Sequence, residues 1–199
     1  MVSALALQLV EARRGVTPVL GAISLEVDPG ETVAITGPSG IGKTTLLRIL
    51  AGLHQGWRGK LDLPGRVAMV FQEPTLLPWR TAVDNITITT GCTSQEAIDV
   101  LHDVGLAEKA LAYPGALSLG QQRRLGLARA FARRPQVLLL DEAFVSLDPA
   151  LADEMMLLFE QLCKARPLAT VMVTHVASEA ERLATRILRL EGRPATLLS

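Results

Sequence analysis

"TVAITGPSGIGKTTLLRIL", running from Thr32 to Leu50, decides how this chain is read. Its first five residues are a short apolar run suited to a strand buried on both faces. Gly37-Pro38-Ser39-Gly40-Ile41-Gly42-Lys43-Thr44 then fits the pattern G-x-x-x-x-G-K-[ST]. After it, Leu46, Leu47, Ile49 and Leu50 place apolar residues on the core side of a helix. The glycines let backbone N–H groups face phosphate oxygens, and the Lys43 ammonium offsets charge on the β and γ groups. The Thr44 hydroxyl is placed to reach Mg²⁺. With a strand before and a helix after, the stretch Gly37 to Thr45 is expected to cradle a nucleoside triphosphate.

Upstream, alternation in "ALALQLVEA" (4–12) and "VLGAISLEV" (19–27) predicts a strand pair or meander, and Pro29-Gly30 marks a turn. Downstream, "KLDL" and "RVAMVF" read as strands separated by Pro64-Gly65. From Gln72 to about Ala132 the pattern turns helical. Thr93 with Glu96 makes a capping box, followed by an apolar stripe of Ala97, Ile98, Leu101 and Val104. After Arg134-Pro135 the alternation of strand and helix returns. "VLLLD", "ATVMVTH" and "RILRL" read as strands, the last being the final strand before the end, and "PALADEMMLLFEQLCKA" and "ASEAERLATR" as helices. Asp148 is the N-cap of the first of these helices and Pro149 its first residue. The expected class is α/β, with a mixed sheet core, antiparallel strands at the start, and a helical insert over about 73–132.

"LSLGQQRRLGLARA" (117–130) predicts a second anion-binding helix start. Ser118 is its N-cap, Gly120 leaves backbone N–H groups accessible, and the helix dipole favours negative charge there. Asp141 and Glu142 end "VLLLD" at the carboxyl edge of a parallel strand. There one acid holds a Mg²⁺ shell and the next orients or deprotonates a water. His175 stands at the tip of "VMVTH", a plausible contact to a γ-phosphate.

In their order and spacing these motifs resemble those of the nucleotide-binding subunits of ABC transporters, over nearly the whole chain. Walker A is "GPSGIGKTT", the Q-loop glutamine is Gln72 in "VFQEP", and the signature is "LSLGQ" (117–121). Walker B is "VLLLDE", the D-loop is "SLD" (146–148), and the H-loop histidine is His175. The resemblance implies a P-loop ATPase fold, one nucleotide-binding domain over 1–199, ATP and Mg²⁺ as ligands, and hydrolysis coupled to transport. It implies that Gly37, Pro38, Ser39, Gly40, Ile41, Gly42, Lys43, Thr44 and Thr45 hold the phosphates. Thr44, Gln72 and Asp141 would hold Mg²⁺, Glu142 would be the general base, and His175 would support the γ-phosphate. It also implies a head-to-tail dimer, two copies of this chain being expected. There Ser118, Gly120 and Gln121 of one copy face the γ-phosphate held by the other, and Asp148 communicates across the interface. Leu119 stands where glycine is commonest. Arg13 and Arg14 occupy the stretch where an aromatic usually stacks on adenine, which makes Arg14 a candidate to stack on the base. "EPTLLPWRTAVDNI" (73–86) looks like the importer branch handling nitrate, sulfonates, taurine or thiamine-precursor pyrimidines. Leu76, Leu77 and Trp79 there are a candidate groove for a permease helix.

Composition narrows the alternatives. The 199 residues carry 20 basic and 20 acidic side chains, for a formal net charge of +0. With no interleaved aromatics around Arg123, Arg124, Arg129, Arg133 and Arg134, these are expected to have a structural and solvated role on one helix, and nucleic acid is not an expected partner. Two cysteines cannot form a disulfide framework. The first nine residues lack a signal peptide's pattern, and no apolar run nears the roughly 20 residues that span a bilayer. The expectation is a soluble protein held at the cytoplasmic side of the cell membrane by a permease, working with a separate solute-binding protein. No C-terminal regulatory domain is expected after "RILRL". The rival purpose for the same ATPase is a non-transport role on nucleic acid or the ribosome. That rival usually brings long coiled coils or tandem cassettes, which this sequence does not show.

Overall fold

Alternating burial sets up the first strands of this computed structural model, which describes residues 3–166 and 168–198. β1 (Leu5–Arg14) buries Leu5, Leu7 and Leu9 and turns Gln8 and Val10 outward. It pairs antiparallel with β2 (Thr17–Leu20), β3 (Ile23–Val27) and β5 (Trp57–Asp62). The stretch read as one strand from Val19 to Val27 is therefore two. The break falls at Gly21, whose N–H leaves for the carbonyl of Ala195 at 2.8 Å.

The other half of the sheet is parallel. β4 (Thr32–Thr36) lies between β8 (Ala169–Val173) and β9 (Arg186–Gly192), and β7 (Val137–Asp141) runs along the far side of β8. β8 is buried at every residue and β7 at four of five, as expected of strands covered on both faces. β6 (Val67–Phe71) follows β7 in the strand order. "RILRL" is not the last strand. β10 (Ala195–Leu198) pairs antiparallel with β9 and meets β2 at Ala195. Four residues are too few for a periodicity signal, which is why that strand was not expected.

The chain divides into two units. The first holds the described residues to Met69, Gln136–Glu142 and those after 167. Its core packs leucines of β1 against Val33 and Ile35 of β4, Val171 and Val173 of β8, and Leu46, Leu47, Ile49 and Leu50 of α1 (Lys43–Leu50). α6 (Ala177–Leu183) also belongs to it.

The second unit is Val70–Pro135 with Ala143–Arg166. It contains α2 (Ala82–Thr90), α3 (Ser94–Asp103), α4 (Leu119–Ala132) and α5 (Pro149–Ala165). α2, α3 and α4 pack on one another, and α5 packs on α4. The capping box of Thr93 and Glu96 starts α3 as read from the sequence. Its buried face is Ala97, Val100 and Leu101, while Ile98 is exposed. One residue beyond Ala97 is a 100° turn about the helix axis, which takes Ile98 off the packed face. α4 ends at Ala132, so Arg133 is its C-cap and Arg134 lies beyond it at φ 48°. Only three of the five arginines expected on that helix are on it.

Candidate functional site

Three motifs meet at the carboxyl edge of neighbouring parallel strands. β4 runs into the glycine loop, β7 ends on Asp141 followed by Glu142, and β8 leads to His175. In the loop, Gly37 adopts φ 146° and Gly42 φ 118°, a region side chains rarely enter. A Cβ on Gly37 would lie 2.7 Å from the carbonyl oxygen of Leu190, and one on Gly42 2.7 Å from Leu20 Cδ2. The loop thus lies hard against β9 and β2, with no room behind it. Gly40, by contrast, has open space around its Cβ position. Pro38, Ser39 and Gly40 are exposed at the tip, Ile41 is half-buried, and Thr45 is buried in the first turn of α1.

Lys43 is buried in this turn, and its Nζ donates to the carbonyls of Gly37 at 2.8 Å and Pro38 at 3.1 Å. The same Nζ lies 4.0 Å from Glu142 Oε1. Thr44 Oγ1 donates to Asp141 Oδ1 at 3.0 Å across 97 residues of sequence. Burial pushes the Asp141 carboxyl up, and the Thr44 hydrogen bond only partly opposes this. Glu142 takes φ 51°, while its N–H donates to the Val173 carbonyl at 3.1 Å. A non-glycine residue in the left-handed region is strained by about 1 kcal/mol or more, a state that persists only where surrounding contacts impose it. Here the tether to β8 imposes it and brings Glu142 Oε1 to 3.3 Å from His175 Nδ1. A carboxylate oxygen only accepts, so in this contact Nδ1 is the donor. Five residues from three separated stretches thus converge on one polar edge.

The second unit holds the remaining motif residues. Ser118 caps α4 as read from the sequence. Its Oγ accepts from Gln121 N at 3.3 Å, and Gln121 Oε1 accepts from Ser118 N at 3.0 Å. The Gln121 side chain is therefore engaged with its own helix start. Gly120 has a packing role as well, since a Cβ there would lie 2.9 Å from Leu151 Cδ1 on α5. Asp148 caps α5, accepting from Leu151 N at 3.1 Å. Gln72 Nε2 reaches Ser146 Oγ at 3.4 Å, so the Q-loop and D-loop touch. Arg14 is exposed at the end of β1, opposite Thr17.

Some residues that shape these loops carried no sequence signal. Buried Asn85 accepts from Leu77 N and donates to the carbonyls of Leu77, Arg80 and Thr81, folding the loop that presents exposed Trp79. Arg129 takes the structural part of its expected role. It donates to the carbonyls of Pro74 and Thr75, anchoring the segment after Gln72 onto α4. Arg124 pairs with Glu154 and donates to Val104 O, and Arg134 pairs with Glu96. Arg123 is the exception: its Nε and Nη1 are buried without a hydrogen-bond partner.

Comparison with known proteins agrees with this geometry. The family description "ABC transporter" matches residues 20–145. An aliphatic sulfonates import ATP-binding protein of Granulibacter bethesdensis is 45% identical over 192 residues, covering 95% of this chain and 81% of that one. A protein of the same name from Rhodococcus jostii is 43% identical over 186 residues, covering 90% and 76%. Among solved structures, a metal-chelate type ABC transporter in an inward-facing conformation superposes with a TM-score of 0.88. It covers all of this chain and 84% of its own at 24% identity, a likeness of fold.

Proposed function

Because the chain belongs to the ABC transporter family and is an ATP-binding, ATP-hydrolysing subunit, we propose that it energises import of an aliphatic sulfonate through a separate membrane permease. The relatives at 43–45% identity support the substrate class. In this reading the chain sits peripherally at the cytoplasmic face, pairs with a second copy of itself, and is supplied by a separate solute-binding protein. Among the described residues no helix is long and apolar enough to cross a membrane, so a transport path would come from other chains. The loop presenting Leu76, Leu77 and Trp79 is the proposed contact for the permease.

The observation that carries the proposal is the convergence of Lys43, Thr44, Asp141, Glu142 and His175 on one strand edge. Residues Gly37 to Thr45 bind the triphosphate, with Lys43 Nζ exchanging its loop carbonyls for phosphate oxygens. The paired Thr44 hydroxyl and Asp141 carboxylate are hard oxygen donors suited to Mg²⁺. Bound there, the ion would offset charge on the β and γ groups. Glu142 accepts the proton of the attacking water at a carboxylate oxygen, and His175, oriented through Nδ1, turns Nε2 to the γ-phosphate. Ser118, Gly120 and Gln121 of the second copy cap that phosphate, and Asp148 communicates across the interface. ATP then holds two copies together, and loss of the cleaved phosphate lets them part, a two-state element biased by one group.

Glu142→Gln keeps the side-chain shape and removes the base. In Mg²⁺ and ATP this variant is expected to elute from gel filtration as a stable dimer with turnover abolished. Elution as a monomer under those conditions would overturn the role given to Glu142.

A further inference from the structure

We propose that Glu179 is a positioning residue for His175, acting through the hydroxyl of Thr174. The proposal rests on the reading above in which His175 serves the γ-phosphate.

Glu179 lies in the first turn of α6, where an acid ordinarily faces water, yet it is only 5% exposed and Thr174 is fully buried. Thr174 Oγ1 donates to Glu179 Oε2 at 2.6 Å, a length typical of a hydroxyl on a charged acceptor. The same oxygen accepts from Val176 N at 3.0 Å. A hydroxyl has one proton, and here it is committed to the carboxylate, so its lone pairs are left for Val176. Thr174 N in turn donates to the carbonyl of Ile35 on β4, at 3.3 Å. The residues before and after His175 are thereby tied to one another, to the strand feeding the glycine loop, and to α6. His175 itself makes its side-chain contact with Glu142 alone among the hydrogen bonds described, and the ring is half exposed. Its aim therefore depends on the backbone that Thr174 and Glu179 brace.

The choice of an acid is informative. Burial pushes the Glu179 carboxyl up, and the Thr174 hydrogen bond is the main influence opposing it. A buried carboxylate is costly where a neutral side chain would pack as well, and such local conflicts concentrate at functional sites.

The test uses the full chain with ATP hydrolysis and fluorescent-nucleotide binding measured side by side. His175→Ala and Glu179→Ala should each lower kcat by about tenfold or more, the scale seen when a supporting contact is lost, with nucleotide Kd changed by no more than about twofold. Glu179→Gln retains an oxygen that accepts from Thr174 and should stay within about threefold of the parent kcat. In the His175→Ala background, Glu179→Ala should cost nothing further. Independently of turnover, imidazole ¹⁵N shifts should show the Nδ1–H form of His175 retained in Glu179→Gln and lost in Thr174→Val. If Glu179→Ala lowers kcat equally with and without His175, or the tautomer is unchanged in Thr174→Val, the bracing role is wrong while the ATPase reading stands. If His175→Ala turns over like the parent, the reading beneath fails instead.

Discussion

At the scale of single residues, the loop is constrained from behind as much as from the ligand side. Gly37 backs onto a main-chain carbonyl that cannot rotate away, whereas Gly40 faces open space, although both have positive φ. Gly37→Ala should therefore cost several kcal/mol, combining backbone strain with a clash. Gly40→Ala should cost only about 1 kcal/mol of strain. Urea denaturation of the two variants, with midpoints compared at equal slope, checks this ordering. Equal losses would mean that β9 yields to the loop. The same logic separates the two acids of Walker B. Asp141 is committed to Thr44, while Glu142, at its strained φ, is turned to His175 and Lys43.

At the scale of elements, the helix that opens with the signature has two roles at one end. Ser118 and Gln121 satisfy each other's backbone N–H groups, a complete capping box, before any phosphate is considered. Ser118→Ala should lower unfolding stability by about 1 kcal/mol, the usual worth of a cap. Ser118→Arg puts bulk and positive charge at the helix tip. It should abolish turnover yet leave nucleotide binding to the single chain near the parent value, because that binding is assigned to the glycine loop. Equilibrium binding of a fluorescent ATP analogue decides the matter. Loss of binding there would return the signature to its own chain's site. The box was legible because its partners lie three residues apart. Arg129, which holds the Pro74–Thr75 segment from more than fifty residues away, was not.

At the scale of the whole molecule, each of the two units has its own interior, and packing around half-buried Cys163 in the second sets a chemical property that sequence could not. Burial pushes the Cys163 thiol up to about 12. At pH 8 the thiol is then overwhelmingly un-ionised, and thiolate is the reactive form. Iodoacetamide at pH 8 should leave Cys163 unmodified in the native protein and label it in urea, as read by mass spectrometry of the peptide. Because the shift is upward, protection should persist as pH rises and fade only toward the raised value. Rapid native labelling would mean that packing does not hold the thiol in its un-ionised form.

The sequence alone determined what lies within reach of one turn or one strand. The glycine loop between β4 and α1, the caps at Thr93, Ser118 and Asp148, and the buried runs of β7 and β8 are short-range matters of backbone geometry and period. Tertiary structure alone decided which of these pieces meet. It set Thr44 against Asp141 and Glu142 against His175, buried Glu179, turned Ile98 outward and added β10. Such pairings depend on strand order and on which face each element buries, and burial is settled by surfaces far apart in the chain.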